Sequence, residues 1–323
     1  MTRWWSRLRP DNFTLALLGT VLLATLLPMT GTAARGLDRF TDLAIATLFF
    51  LHGARLPREA VVAGLLHWRL HLLILACTFV LFPLLGLAFK PLDGRVLTPE
   101  LYLGVLFLCA LPSTVQSSIA FTSMAGGNVP AAVCAASLSS ILGVFLTPLL
   151  MGVLAGAQGG MADPLHAVGA IMLQLLVPFV AGHLLRPWLA RWVERQRALL
   201  RHTDQGTVLL VVYGAFGESV SEGLWHDTPL GSLLAVALVS AVLLAIAMPG
   251  ITWLARRLGF GREDEIPIVF CGSKKSLATG VPIAKVLFAG GSLGAIVLPV
   301  MVYHQLQLVV CAMVARRYAR KAT

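Results

Sequence analysis

Long uninterrupted apolar stretches alternate with short basic stretches along the whole chain, as in LALLGTVLLATLLPM and LHLLILACTFVLFPLLGLAF. A membrane β-barrel would alternate apolar and polar residues over segments of about ten. The continuous runs here predict helices instead. Ten segments, near 13–29, 38–56, 68–89, 100–125, 129–154, 165–188, 204–223, 230–254, 264–288 and 292–315, are candidates to cross the hydrocarbon. Each needs about twenty apolar residues to span roughly 30 Å. Arg3, Arg7 and Arg9 precede the first segment, but no small-x-small cleavage site stands clear of its apolar run. It is therefore expected to be a retained span rather than a signal peptide.

The basic residues between the segments predict an orientation. Ten spans place both termini on one side. Arg3, Arg7, Arg9, Arg55, Arg58, Arg69, Arg186, Arg191, Arg195, Arg197, Arg201, Arg256, Arg257, Arg262, Arg316, Arg317, Arg320 and Lys321 then share that side. Only Arg35, Arg39, Lys90 and Arg95 fall opposite. Positive charge marks the cytoplasmic face, so both termini are expected in the cytoplasm, and the chain in the inner membrane as a multi-pass protein.

The two halves carry a weak internal match. Leu26-Leu27-Pro28 aligns with Leu185-Arg186-Pro187, Thr41-Asp42-Leu43 with Thr203-Asp204-Gln205, and Ser118-Ile119-Ala120 with Ser276-Leu277-Ala278, at offsets of 159, 162 and 158. A five-span unit repeated in tandem enters the membrane in opposite directions, the inverted plan of many secondary transporters. The expected units are 1–162 and 163–323.

The fourth and ninth segments are interrupted at matching places. Pro112 breaks the fourth and is followed by Gln116, Ser117, Ser118 and Thr122, with Asn128 at the Gly-Asn corner beyond. The ninth holds Ser273, Lys274, Lys275 and Ser276 near its middle, with Gly280 and Pro282 after them. Paired interrupted helices point to a site at the membrane midplane. A mid-span lysine costs roughly 2.5–3.5 kcal/mol on insertion scales and cannot reach the interface. Lys274 and Lys275 therefore need water, an acid or a carbonyl-lined break. Glu218 is the nearest candidate acid, and His304 and Gln305 in the tenth span are further polar candidates. Lys285, nearer the outer end, is expected to snorkel. Serines in the fifth span read as small-residue packing.

Composition narrows the class. With 57% hydrophobic and 12% charged residues, the chain has half the charge of an ordinary soluble domain. The net charge of +10 sits between apolar runs, so nucleic acid is not an expected partner. Cys77, Cys109, Cys134, Cys271 and Cys311 lie scattered in apolar stretches and read as small buried hydrophobes, not as metal ligands. Neither a phosphate-binding GxxxxGK[ST] pattern nor HExxH occurs, which disfavours an ATPase and a zinc protease.

LPSTVQSSIAFTSMAGGN, FCGSKKSLATGVPIAKVLF and VYHQLQL resemble the bile acid:sodium symporter family, in its bacterial branch akin to solute carrier family 10, member 7. That resemblance implies an all-α polytopic membrane protein of ten transmembrane helices in two inverted five-helix repeats. It implies a panel of spans 1, 2, 6 and 7 and a core of spans 3–5 and 8–10, with broken helices 4 and 9 crossed beside a substrate cavity. Sodium-coupled members carry Ser-Asn where this chain has Ser117-Ser118, and hydroxyls where it has Ala132 and Ala136. They carry Glu where it has Phe270 and an amide pair where it has Lys274-Lys275. No cofactor is expected. Sodium is disfavoured because ammonium groups and apolar residues replace its oxygen ligands. The function implied is a secondary transporter for a small organic anion or steroid-like amphipath, independent of sodium or coupled to protons. A regulatory membrane protein that moves no substrate is the alternative.

Overall fold

The computed structural model describes residues 12–55, 67–156, 164–221, 226, 229–288 and 292–320, and among them the named elements are all helical. The chain runs α1 (Asn12–Leu26), α2 (Gly31–Arg55), α3 (Trp68–Leu92), α4 (Pro99–Ala110), α5 (Val115–Met124), α6 (Val129–Gly156), α7 (Pro164–Arg195), α8 (Arg197–Ser221), α9 (Leu230–Arg257), α10 (Arg262–Ser273), α11 (Leu277–Leu287) and α12 (Leu293–Arg320).

Among the described residues, α3, α6, α9 and α12 are long and apolar enough to cross a membrane on their own. The pair α4–α5, bent by 59° at its break, makes a fifth candidate. The other helices are shorter or carry charged residues within their apolar run, as α2 does with Arg35, Asp38, Arg39 and Asp42. That mixed face also explains a boundary. The apolar run suggests a start near residue 38, whereas the helix begins at Gly31, whose φ of 65° turns the chain after α1. Helix geometry does not require apolarity, so α2 extends through its charged first turns.

Proline and glycine shape the bundle locally. Pro112 has no N–H and forces Leu111 into an extended conformation (φ −71°, ψ 152°), which ends α4. In α3 a π turn at Cys77–Leu81 precedes Pro83. The N–H of Phe82 reaches Cys77 O, five residues back. The corresponding donor for Thr78 O would come from Pro83, which has none. One buried carbonyl is thereby left for another partner.

Helix α2 packs along α7, α1 along α8, and α2 also meets α8. The helices α3–α6 and α9–α12 pack among themselves, while α8 touches α11 and α12. The α2–α7 contact is backbone on backbone. A Cβ built on Gly53 would lie 1.9 Å from Phe179 O, and one on Gly182 would lie 1.9 Å from Phe50 O. Small residues permit this approach, and dispersion between close helices rather than hydrophobic exclusion holds such pairs in lipid. At the end of α11, Lys285 does not simply reach toward water. Its Nζ is 2.7 Å from Asp38 Oδ1 and 3.6 Å from Asp42 Oδ1, an ion pair between α11 and α2.

Gly53→Leu or Gly182→Leu should lower the thermal unfolding temperature in detergent sharply, because overpacking alone costs about 1–3 kcal/mol and here the obstacle is backbone. Gly36→Ala on the same helix, with nothing within 4 Å of the added carbon, should be neutral or stabilising. Equal effects at Gly36 and Gly53 would refute the close α2–α7 approach.

Candidate functional site at the two helix breaks

The break between α4 and α5 and the break between α10 and α11 meet directly. The Ser276 N–H donates to Pro112 O at 2.8 Å. Both sites are unwound backbone inside the protein, so every freed polar group needs a partner.

Side chains supply most of them. Tyr303 Oη donates to Ser273 O at 2.7 Å. The Gln307 amide brackets Lys275, accepting its backbone N–H at 2.8 Å and donating to its carbonyl at 2.9 Å. Its Nε2 also lies 2.9 Å from His304 Nδ1. Ser276 caps α11 by accepting the Thr279 N–H. Across the crossing, Thr147 Oγ1 donates to Ala110 O and Ser139 Oγ accepts the Ser113 N–H. Ser118 Oγ reaches Phe270 O at 3.4 Å.

Lys274 and Lys275 follow one another in this extended stretch, with Lys274 at φ −102° and ψ 146°. Successive side chains of extended backbone point to opposite sides. The two ammonium groups accordingly go to different places, although both are buried, at 0% and 1% exposure. Lys275 Nζ donates to Thr78 O, Cys109 O and Leu111 O, each at 2.8 Å, and lies 4.3 Å from the centre of the Phe82 ring. Its three protons thus serve the π-turn carbonyl that Pro83 cannot satisfy and two carbonyls at the end of α4. The negative end of the α4 dipole favours a cation at that point. Lys274 Nζ donates to Ser117 Oγ at 2.6 Å and lies 4.3 Å from the centre of the Phe121 ring. Ser117 is in the first turn of α5, where the helix dipole is positive, so Lys274 is the less well-stabilised charge.

The crossing brings together Ser117, Ser118, Ser273, Lys274, Lys275, Ser276 and His304. Gln116, Ser117, Ser276 and His304 line a cavity of about 410 Å³ beside it. Other sequence candidates fall elsewhere. Thr122 is buried in α5, and its hydroxyl has no hydrogen-bond partner among the described residues. Asn128 accepts from the Ala131 N–H and donates to Asp264 Oδ1 at 2.9 Å, joining α6 to α10 away from the crossing. Gln305 Oε1 accepts from Thr14 Oγ1 and ties α12 to α1. Glu218 is exposed on α8, and the lysine ammonium groups bond carbonyls and a hydroxyl, not this carboxylate. Ala132, Ala136 and Phe270 are fully buried, with Phe270 stacked near Phe121.

Other contributors are not evident from sequence pattern. Tyr303 and Thr78 look like ordinary apolar-run residues until folding places them beside broken backbone. His52, Arg55, Arg201 and Asp204 also line the cavity. Their basic members look like loop charges when counted along the chain. The pairing of Thr41-Asp42 with Thr203-Asp204 in the internal match was a usable signal for Asp204.

Comparison with known proteins places these features in a family. The model for the SBF-like CPA transporter family (DUF4137) matches residues 11–320. The chain belongs to this family. It is a transporter family rather than an enzyme family, and the chain is a multi-pass membrane protein. The chain is 63% identical to the uncharacterized protein PA2026 of Pseudomonas aeruginosa, over 98% of this chain and 95% of that protein. It is 55% identical to YfeH of Escherichia coli, over 96% and 93%. Sodium/bile acid cotransporter 7 of Rattus norvegicus is 27% identical over 95% of this chain and 92% of its own length. The resemblance to the bile acid:sodium symporter family therefore holds across the chain.

Lys275→Gln should destabilise the folded protein more than Lys274→Gln. A buried acceptor left without its donor costs about 1–3 kcal/mol, and Lys275→Gln abandons three carbonyls. Lys274→Gln keeps a polar head within reach of Ser117 and loses chiefly the Phe121 contact. Thermal unfolding of both purified variants gives the order, and the reverse order would contradict the assigned roles.

Proposed function

We propose that the protein is a secondary active transporter for an organic anion or steroid-like amphipath, working without sodium. The observation that carries this reading is the buried polar crossing of two broken helices beside a cavity of about 410 Å³. A scaffold gains nothing from two interrupted helices, whereas a transporter needs polar backbone and a cavity at the membrane midplane. In this reading the chain forms ten spans, with α4–α5 as the fourth and α10–α11 as the ninth. They form two inverted repeats, 1–162 and 163–323, with both termini cytoplasmic in the inner membrane. Helices α1, α2, α7 and α8 make the panel, and the others make the core. Membership of a transporter family and the excess of basic residues on one side support this arrangement.

Sodium independence rests on charge and ligand chemistry. Lys275 holds the carbonyls of the crossing with a fixed ammonium, which is the structural task a bound cation would perform. A sodium ion 4 Å from that ammonium would be repelled by about 4 kcal/mol at an effective dielectric of 20. Ala132, Ala136 and Phe270 offer no side-chain oxygen to offset this. The cavity's fixed positive charge favours an anion.

Purified protein reconstituted in liposomes should exchange labelled taurocholate for unlabelled taurocholate equally well in sodium and in choline buffers. A saturable millimolar requirement for sodium would overturn the coupling. Absence of counterflow for taurocholate and for other organic anions would overturn the transport reading.

Reporter fusions at Thr323 and near Gln158 should report opposite sides of the membrane. The same side at both would remove the ten-span arrangement.

A further inference from the structure

The cavity beside the crossing has a second polar wall, contributed by α2 and α8 rather than by the broken helices. Arg55 at the end of α2 donates from Nη1 to Asp204 Oδ2 at 2.6 Å. A guanidinium can hold a carboxylate with two parallel bonds, but this pair uses one. Arg55 Nη2 is buried with no hydrogen-bond partner among the described residues. Asp204 Oδ1 also lacks a hydrogen bond and faces His52 Nε2 at 3.8 Å. A pair serving only to tie α2 to α8 gains by closing both prongs. Here the second prong is left unpaired beside a cavity that Arg55, Asp204 and Arg201 line. Gln116, Ser117 and apolar Phe13, Phe179 and Leu308 are also in the lining. A charged end next to an apolar enclosure suits a molecule with an ionic head and a hydrocarbon body.

We infer that this wall is the subsite for the carboxylate or sulfonate head of an amphipathic organic acid, with the Arg55 guanidinium as the donor. The inference rests on the anion-transport reading and adds where the anion is held. Asp204 is a positioning residue that fixes the guanidinium plane, and exposed Arg201 adds positive charge to the same lining. The hydrocarbon body lies against Phe13, Phe179 and Leu308, toward the broken helices. Lysine in place of Arg55 would keep the charge but lose the forked geometry that leaves a donor free after Asp204 is bound.

Thiol labelling tests this without knowledge of the natural substrate. Ser140 lines the cavity, so Ser140→Cys introduces a reporter there. Purified full-length protein in detergent is treated with the sulfonate reagent 2-sulfonatoethyl methanethiosulfonate or its trimethylammonium counterpart. Rates are normalised to a small free thiol, and the parent chain gives the background from its own cysteines. The sulfonate should be the preferred reagent. Arg55→Gln should reduce that preference about threefold or more, Arg201→Gln should reduce it less, and Asp204→Asn should raise it. Arg257→Gln, outside the cavity lining, should change nothing. If Arg55→Gln does not fold, Arg201→Gln and Asp204→Asn must still move the ratio in opposite directions. A ratio unchanged by these cavity variants, or changed as much by Arg257→Gln, overturns the subsite. Labelling does not require transport, so loss of counterflow with the sulfonate preference intact would sink the transport reading alone.

Discussion

Backbone polar groups inside a membrane must be hydrogen-bonded, and in this protein one buried ammonium meets that demand at the most exposed point. Lys275 bonds Thr78, Cys109 and Leu111 carbonyls at once, linking α3 and the end of α4 to the unwound segment before α11. The need for it is written into prolines. Pro112 ends α4, and Pro83 removes the donor that the π turn would otherwise offer Thr78. Tyr303 and Gln307 of α12 serve the other strand of the crossing. The result is a buried polar node whose freed carbonyls are held by side chains from α12 and the unwound segment.

The two adjacent lysines show how local conformation divides labour. In a helix they would lie 100° apart on one cylinder and share surroundings. In extended backbone one enters the carbonyl cage while the other reaches Ser117 and the edge of the cavity. Lys275 is thus part of the architecture, and Lys274 brings positive charge closer to the space a ligand would occupy. Together with Arg55 and Arg201, they give the cavity region more basic than acidic side chains, with Asp204 the acidic residue in its lining.

Much of the helical arrangement was legible in the chain. Apolar run length located the helices, and Pro112 together with Gly272-Ser273-Lys274-Lys275 marked both breaks. Ser117 and Ser118 beside Pro112 lie at the crossing with Lys274, because polar residues at a break have few places to go in hydrocarbon. Asn128, Gln305 and Glu218 share that polarity, and folding places them at a helix cap, an α1–α12 contact and an exposed face. Polarity in a span reports that a residue needs a partner. It does not report which one.

Composition, run length and the prolines determined a polytopic helical protein with two interrupted helical segments and two unavoidable buried charges, since each of these is a local property of contiguous residues. The partners of those charges lie far away in sequence: Lys275 finds Thr78 across 197 positions, and Arg55 finds Asp204 across 149. Tertiary packing alone decided them. Close approach at Gly53 and Gly182 sets α2 against α7, and the contact of α2 with α8 turns two apparent loop charges into a cavity wall. Hydrogen bonds at 2.8 Å depend on how whole helices cross, and that geometry arises from the summed packing of the bundle, which no short stretch of sequence contains.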